Sequence, residues 1–127
     1  MPGSITDEPG TVARTQPEEL RVVHRLVVQY GSPTDPAEFD RHYRDVHVGL
    51  VHAIPGLQRF SIGHAASLDP STPAPYLVAE LDFESAEAMA AGMGSDAGRA
   101  AGADVATFAT GGATMAAFDV DDVSPAG

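Results

Sequence analysis

The chain contains no Cys, Lys, Trp or Asn. Without Cys there is no thiolate nucleophile, disulfide, iron–sulfur cluster or zinc–thiolate centre. Without Lys there is no Schiff base to a substrate carbonyl or to pyridoxal phosphate, and no P-loop lysine. All seven positive charges are therefore Arg, set against eighteen Asp and Glu, for a net charge of −11. So acidic a chain repels phosphate backbones, and nucleic acid is not an expected partner. No apolar run approaches the ~20 residues of a membrane span, and the start of the chain lacks the basic-then-apolar order of a secretory signal. A cytoplasmic protein without a membrane partner is expected. Chemistry then falls to five His, three Tyr, the acids, Arg, Ser and Thr.

A length of 127 residues suits one domain. Residues 1–20 hold three Pro, two Gly and scattered apolar positions, too little burial to offset ordering entropy, so they read as a flexible arm. Residues 121–127 read as a similar tail, which leaves 21–120 as the folded body. Six of the eleven units of negative charge lie in 1–20 and 119–127, so the net charge describes the ends more than the body.

Within the body, Arg21 to Tyr30 is rich in β-branched and apolar residues and stops at Gly31-Ser32-Pro33, the pattern of a strand. Asp35-Pro36 then opens a helix, with Asp35 as N-cap and Pro36 in the first turn. It runs to about Ala53, with Phe39, Tyr43, Val46, His47 and Leu50 on one stripe. Leu57 to Ala65 and Tyr76 to Phe83 read as strands around a Pro-rich loop. An Ala-rich helical stretch from Ser85 to about Ala109 breaks at Gly92-Met93-Gly94 and restarts at Ser95 or Asp96. Ala113 to Val120 reads as the last strand. The order βαββαβ predicts a ferredoxin-like α+β fold with strand order 4-1-3-2.

Alternation assigns the two sheet faces. Leu77, Ala79, Leu81 and Phe83, with Leu26 and Val28, are expected against the helices, and His24 and Tyr30 share that face. Val23, Arg25, Val27 and Gln29, with Tyr76, Val78 and Glu80, are expected on the other. A face mixing Val with Arg, Gln and Glu suits a sheet-on-sheet homodimer in which Arg25 pairs with Glu80.

From Leu26 to Gly112 the chain resembles the EthD family of small dimeric α+β barrel proteins. The resemblance rests on VVQYG, on PAEFDRHYRDVHVGLVHAIPGLQRF, on PYLVAELDFES and on SDAGRAAGADVATFATGG. Its most specific residues are Phe39, Tyr43, His47, Leu50, Pro55 and Gly56; Ser95, Gly98, Asp104 and Phe108 add a weaker match. The resemblance implies the ferredoxin-like fold and a homodimer with sheets face to face. One departure is that the family usually carries Pro after the His, where this chain reads His47-Val48-Gly49-Leu50. The wider group of such barrels includes isomerases, cyclases, cofactor-free monooxygenases and haem-degrading enzymes, so the fold alone does not select a reaction.

His47 is the leading catalytic candidate. On the apolar stripe of the first helix, burial keeps its imidazole a neutral base near pH 7, able to move a proton beside a carbonyl. The competing reading is a structural His bonded to a backbone carbonyl. Tyr43 and Tyr30 are candidate hydroxyl donors to a substrate oxygen, against a role as core aromatics. His24, His64, Tyr76 and Phe39 are further candidates for lining a substrate pocket, and His42 and His52 read as exposed. A metal site is not expected. His42, His47 and His52 are spaced by five, ~140° around an ideal helix, and there is no H-x-x-x-H pair. A haem would need an axial His in a large apolar pocket, so no cofactor is expected. The Gly92-to-Gly98 run follows a helix and lacks the dinucleotide fingerprint, and no G-x-S-x-G occurs.

These residues suit a cofactor-independent enzyme of isomerase or cyclase type, acting on a small hydrophobic carbonyl or aromatic metabolite in catabolism or secondary metabolism. The alternatives are a cofactor-free monooxygenase and a non-catalytic protein that binds a metabolite or assists a partner oxygenase.

Overall fold

The computed structural model describes residues 22–126. The arm expected over 1–20 lies outside the described residues. Residues 23–119 form one compact unit, and residues 120–126 carry no helix or strand.

Strands β1 (His24–Tyr30), β2 (Arg59–His64), β3 (Leu77–Phe83) and β4 (Ala113–Asp119) make one antiparallel sheet in the order β2-β3-β1-β4. This is the 4-1-3-2 order of the ferredoxin-like fold. Helices α1 (Pro36–His42) and α2 (Val48–His52) are joined through a π-helical turn over Tyr43–His47. Helices α3 (Ala86–Gly94) and α4 (Asp96–Phe108) follow β3. Among the described residues, no helix is long and apolar enough to cross a membrane.

Local chemistry sets the helix starts. The Asp35 carboxylate accepts from the Glu38 N–H at 3.2 Å, with Pro36 entering the first turn. Ser85 caps α3 through the Ala88 N–H and Ser95 caps α4 through the Gly98 N–H, both at 3.0 Å. The break in the Ala-rich segment is thus a cap at Ser95. There the chain packs so tightly that a Cβ on Gly92 would strike the Pro55 carbonyl oxygen, and one on Gly98 would strike that of Gly92.

Leu26, Val28 and Tyr30 from β1 and Leu77, Ala79, Leu81 and Phe83 from β3 are buried against the helices, with Phe39, Tyr43, Val51, Met89, Ala101 and Phe108. The helix-facing side of the sheet is the expected one. Two other expectations fail. Val46 is 39% exposed rather than on the buried stripe, because the π-turn shifts the helix register after Tyr43. Tyr76 precedes β3, so strand alternation does not govern it. Its hydroxyl donates to Asp40 at 3.0 Å and its ring meets Phe39 at 5.2 Å, which puts it on the helix side.

The expected Arg25–Glu80 ion pair is present but secondary to one with Asp82. Register sets Arg25 opposite Asp82 and Val27 opposite Glu80. Arg25 donates through Nε and Nη2 to the two Asp82 oxygens at 2.7 and 3.0 Å, the fork geometry of a strong pair. Glu80 stands 3.9 Å from the guanidinium and is more exposed. Arg25 is held above its ordinary pKa by the Asp82 hydrogen bond.

Candidate functional site

Tyr30, Phe39, Tyr43 and Phe108 pack as an aromatic cluster between β1, the first helix and α4, with ring centroids 5.1–5.8 Å apart. His47 leans on its edge, 4.9 Å from both Tyr43 and Phe108, and is 3% exposed. A buried imidazole needs partners for its nitrogens. The partner here is a carboxylate rather than a backbone carbonyl, for His47 Nδ1 lies 3.0 Å from Asp104 Oδ2 on α4. An ionised carboxylate only accepts, so Nδ1 carries the proton and Nε2 of the neutral ring holds the lone pair. No hydrogen bond to Nε2 occurs among the described residues.

Asp104 is shared. His42 Nε2 sits 2.9 and 3.0 Å from its two oxygens, and the Thr107 hydroxyl, which donates to the Asp104 backbone carbonyl at 2.6 Å, lies 3.2 Å from Oδ1. Burial lowers the pKa of His47 and outweighs the Asp104 contacts that work to raise it. The ring is a neutral base through the physiological range. Burial works to raise the Asp104 carboxyl, but the hydrogen bonds from the two imidazoles prevail and its pKa falls. Burial pushes the Tyr30 hydroxyl up to about 12 and the Tyr43 hydroxyl higher still. Both remain O–H donors at any physiological pH.

His47, Tyr43 and Tyr30 line one apolar cavity of ≈30 Å³ with Leu26, Val28, Val51, Leu81, Met93 and Val105. Its rim includes Gly102 and Met115, both exposed. No wall residue other than His47 is charged or readily ionised near neutrality. The volume suits one or two water molecules, and Met93 and Met115 are the flexible walls through which it can widen.

The other expected pocket residues lie elsewhere. Phe39 is in the aromatic core and does not line this cavity. His24 pairs with Asp119 at 2.7 Å. His64 is exposed, 3.2 Å from Asp40, with its ring against Tyr76. None of His24, His64 and Tyr76 reaches the cavity. His42, expected to be exposed and inert, is half-buried on Asp104. Asp104 is the residue that spacing arguments missed; its only signal was its place in the weaker family match. Among the described residues, no group of three or more His, Asp or Glu is arranged to hold a metal ion.

The arrangement can accept a proton at His47 Nε2 and stabilise the resulting imidazolium through Asp104, with two phenolic donors nearby. The described chain is similar over 103 residues, at 44% identity, to an uncharacterised 11.0 kDa protein from the thcB–thcC intergenic region of Rhodococcus erythropolis, covering 81% of this chain and all of that one. Its structure is similar to that of an EthD-family protein from Bacillus halodurans (TM-score 0.69, 29% identity, 76% and 96% of the two chains). It is also similar to a dimeric ferredoxin-like protein of unknown function from Thermobifida fusca (TM-score 0.62, 17% identity, 80% and 93%). At 13% and 15% identity the same fold occurs in a cofactor-independent oxygenase from Streptomyces nogalater and a hydroxynitrile lyase from Passiflora edulis (TM-scores 0.59 and 0.61). The EthD domain profile matches residues 32–112, and the chain belongs to the EthD family.

Proposed function

We propose that the protein is a cofactor-independent enzyme that moves a proton on a small, largely apolar carbonyl or aromatic substrate. The observation that carries this reading is the His47–Asp104 contact of 3.0 Å at the wall of an apolar cavity. A base held in one tautomer by a carboxylate behind it, with its lone pair unpaired among the described residues, is the arrangement of general-base catalysis. His47 Nε2 takes the proton from a carbon next to the carbonyl, the C–H pair becomes an enolate, and the proton returns to a different atom. Tyr43 or Tyr30 donates its hydroxyl to the substrate oxygen where charge develops. The apolar walls select a hydrophobic metabolite and keep His47 neutral.

The active unit of this reading is a homodimer formed through the open face of the sheet. The Arg25–Asp82 pair and the half-exposed Phe118 lie on that face, and a structural neighbour is dimeric. A monomer mass by sedimentation at micromolar concentration would remove the dimer from the reading.

Deuterium exchange at C2 of α-tetralone and related small ketones, followed by NMR in D2O, tests the chemistry. Wild-type protein is expected to speed exchange, and folded His47→Ala to lose the acceleration while still binding the ketone. Equal exchange by wild type and His47→Ala would overturn the role of His47. Binding without exchange across the series would favour a carrier role.

A further inference from the structure

The relationship between His42, Asp104 and His47 goes beyond a two-residue catalytic pair. Asp104 carries one negative charge, and two imidazoles use it from different sides. His47 faces the apolar cavity. His42 lines a second cleft of ≈120 Å³ of mixed character, with Asp35, Glu38 and Thr107 beside Phe39 and Phe108. Neither cavity contains the other's imidazole, and the Asp104 carboxylate joins the two rings.

We propose that His42 is a positioning residue for the base. Uncharged, its Nε2–H pins the Asp104 carboxylate where Oδ2 meets His47 Nδ1. Protonated from the cleft, His42 competes with His47 for the same negative charge and weakens it as a base. The proposal rests on the reading of His47 as the base.

The charged and titratable groups facing His42 are few. Asp104 comes from α4, Glu38 lies one turn back on α1, Asp35 caps that helix, and His47 sits across the shared carboxylate. The remaining polar neighbours in the cleft are Thr hydroxyls. Glu38 is itself engaged by the Arg41 guanidinium, so Arg41 and His47 are the basic groups set beside these acids.

The test is 1H–15N NMR of the histidine side chains across pH, which reads tautomer and ionisation without turnover. In wild type, the His47 signals should respond in two steps, one of them coinciding with His42 ionisation. In His42→Gln, whose amide can still donate to Asp104, His47 should keep its Nδ1–H tautomer. Its ionisation should move up by roughly half a unit to one unit, as expected from removing a like charge at this range. In His42→Ala the Nδ1–H preference should weaken. Independent single-step titrations in wild type would overturn the proposal whether or not the variants fold. An unchanged His47 tautomer and midpoint in both folded variants would do the same. The ketone exchange assay reports separately on whether His47 is the base, so failure of one reading is distinguishable from failure of the other.

Discussion

Asp104→Asn isolates the charge behind His47 while keeping nearly all of the shape. In the wild-type protein the carboxylate lies 3.0 Å from His47 Nδ1, and its side chain is only 11% exposed. A unit charge about 4 Å from the centre of a forming imidazolium is worth roughly 4 kcal/mol at an effective dielectric near 20. A transition state with half the proton transferred feels about half of that, roughly 2 kcal/mol, or about 30-fold in rate. Full charge development raises the loss towards about 10³-fold. The loss should fall on kcat, because a neutral ketone in the cavity meets no charge in the ground state. Removing the carboxylate also removes an influence that raises the His47 pKa. The acid limb of the pH profile should therefore move to lower pH as the rate falls. Initial rates of ketone deuteration from pH 5 to 9, with circular dichroism to verify folding, give both readouts. A folded Asp104→Asn protein within about threefold of wild type, with an unmoved acid limb, would refute the pairing argument.

Other expected outcomes follow from single features. Gly102 is exposed on α4 at the cavity rim, and a Cβ there meets nothing within 4 Å. Gly102→Leu should raise Tm by roughly 3–6 °C through helix propensity while blocking entry and abolishing exchange, and retained exchange would show that the rim is not the route. Arg25→Ala strands the buried Asp82 and should cost about 3 kcal/mol in urea unfolding, whereas Glu80→Ala should stay within about 0.5 kcal/mol; equal effects would contradict the observed register. Burial depresses the native pKa of His47 below its unfolded value of about 6.5, so the unfolded chain binds the proton more readily. Stability should be full above that value and decline as pH falls towards the lower native pKa. His47→Gln should flatten the urea midpoint between pH 7.5 and 5, and an unchanged slope would place the acid sensitivity elsewhere.

Much of the fold is legible because local rules decide it. Alternation over Leu77–Phe83 identifies the buried face, Asp35-Pro36 marks a helix start, and the Ser95 cap accounts for the break in an otherwise uniform Ala-rich segment. Pairing between elements distant in sequence is not decided locally. Glu80 and Asp82 share a face, and alternation cannot choose between them as the partner of Arg25. The choice belongs to the register of β1 with β3, strands joined by no tight turn that would set it. Asp104 reads as an ordinary solvated acid among Ala and Gly, since nothing within α4 shows what lies across from it.

The most consequential error concerns His42 and His47. Five residues apart in an ideal α-helix, they diverge by ~140° and cannot share a ligand. The structure carries a π-helical turn over Tyr43–His47, in which the Val48 N–H bonds the Tyr43 carbonyl, five residues back. In such a wide turn residues five apart lie much closer to one face than in an α-helix. His42 and His47 come to the same side of the helix, and one carboxylate from α4 reaches both. The wide turn occurs here without the Pro that usually follows the His in the family, so that Pro is not its cause in this chain. π-turns are rare and costly relative to the α-helix they interrupt, and they concentrate at functional sites. A helix that served only to cover the sheet would do so at least as well in regular α form, with Val46 on its buried stripe. The irregular turn instead exposes Val46 and delivers two imidazoles to Asp104, a loss in packing that is intelligible if the His47–Asp104–His42 arrangement is what the helix is built to hold.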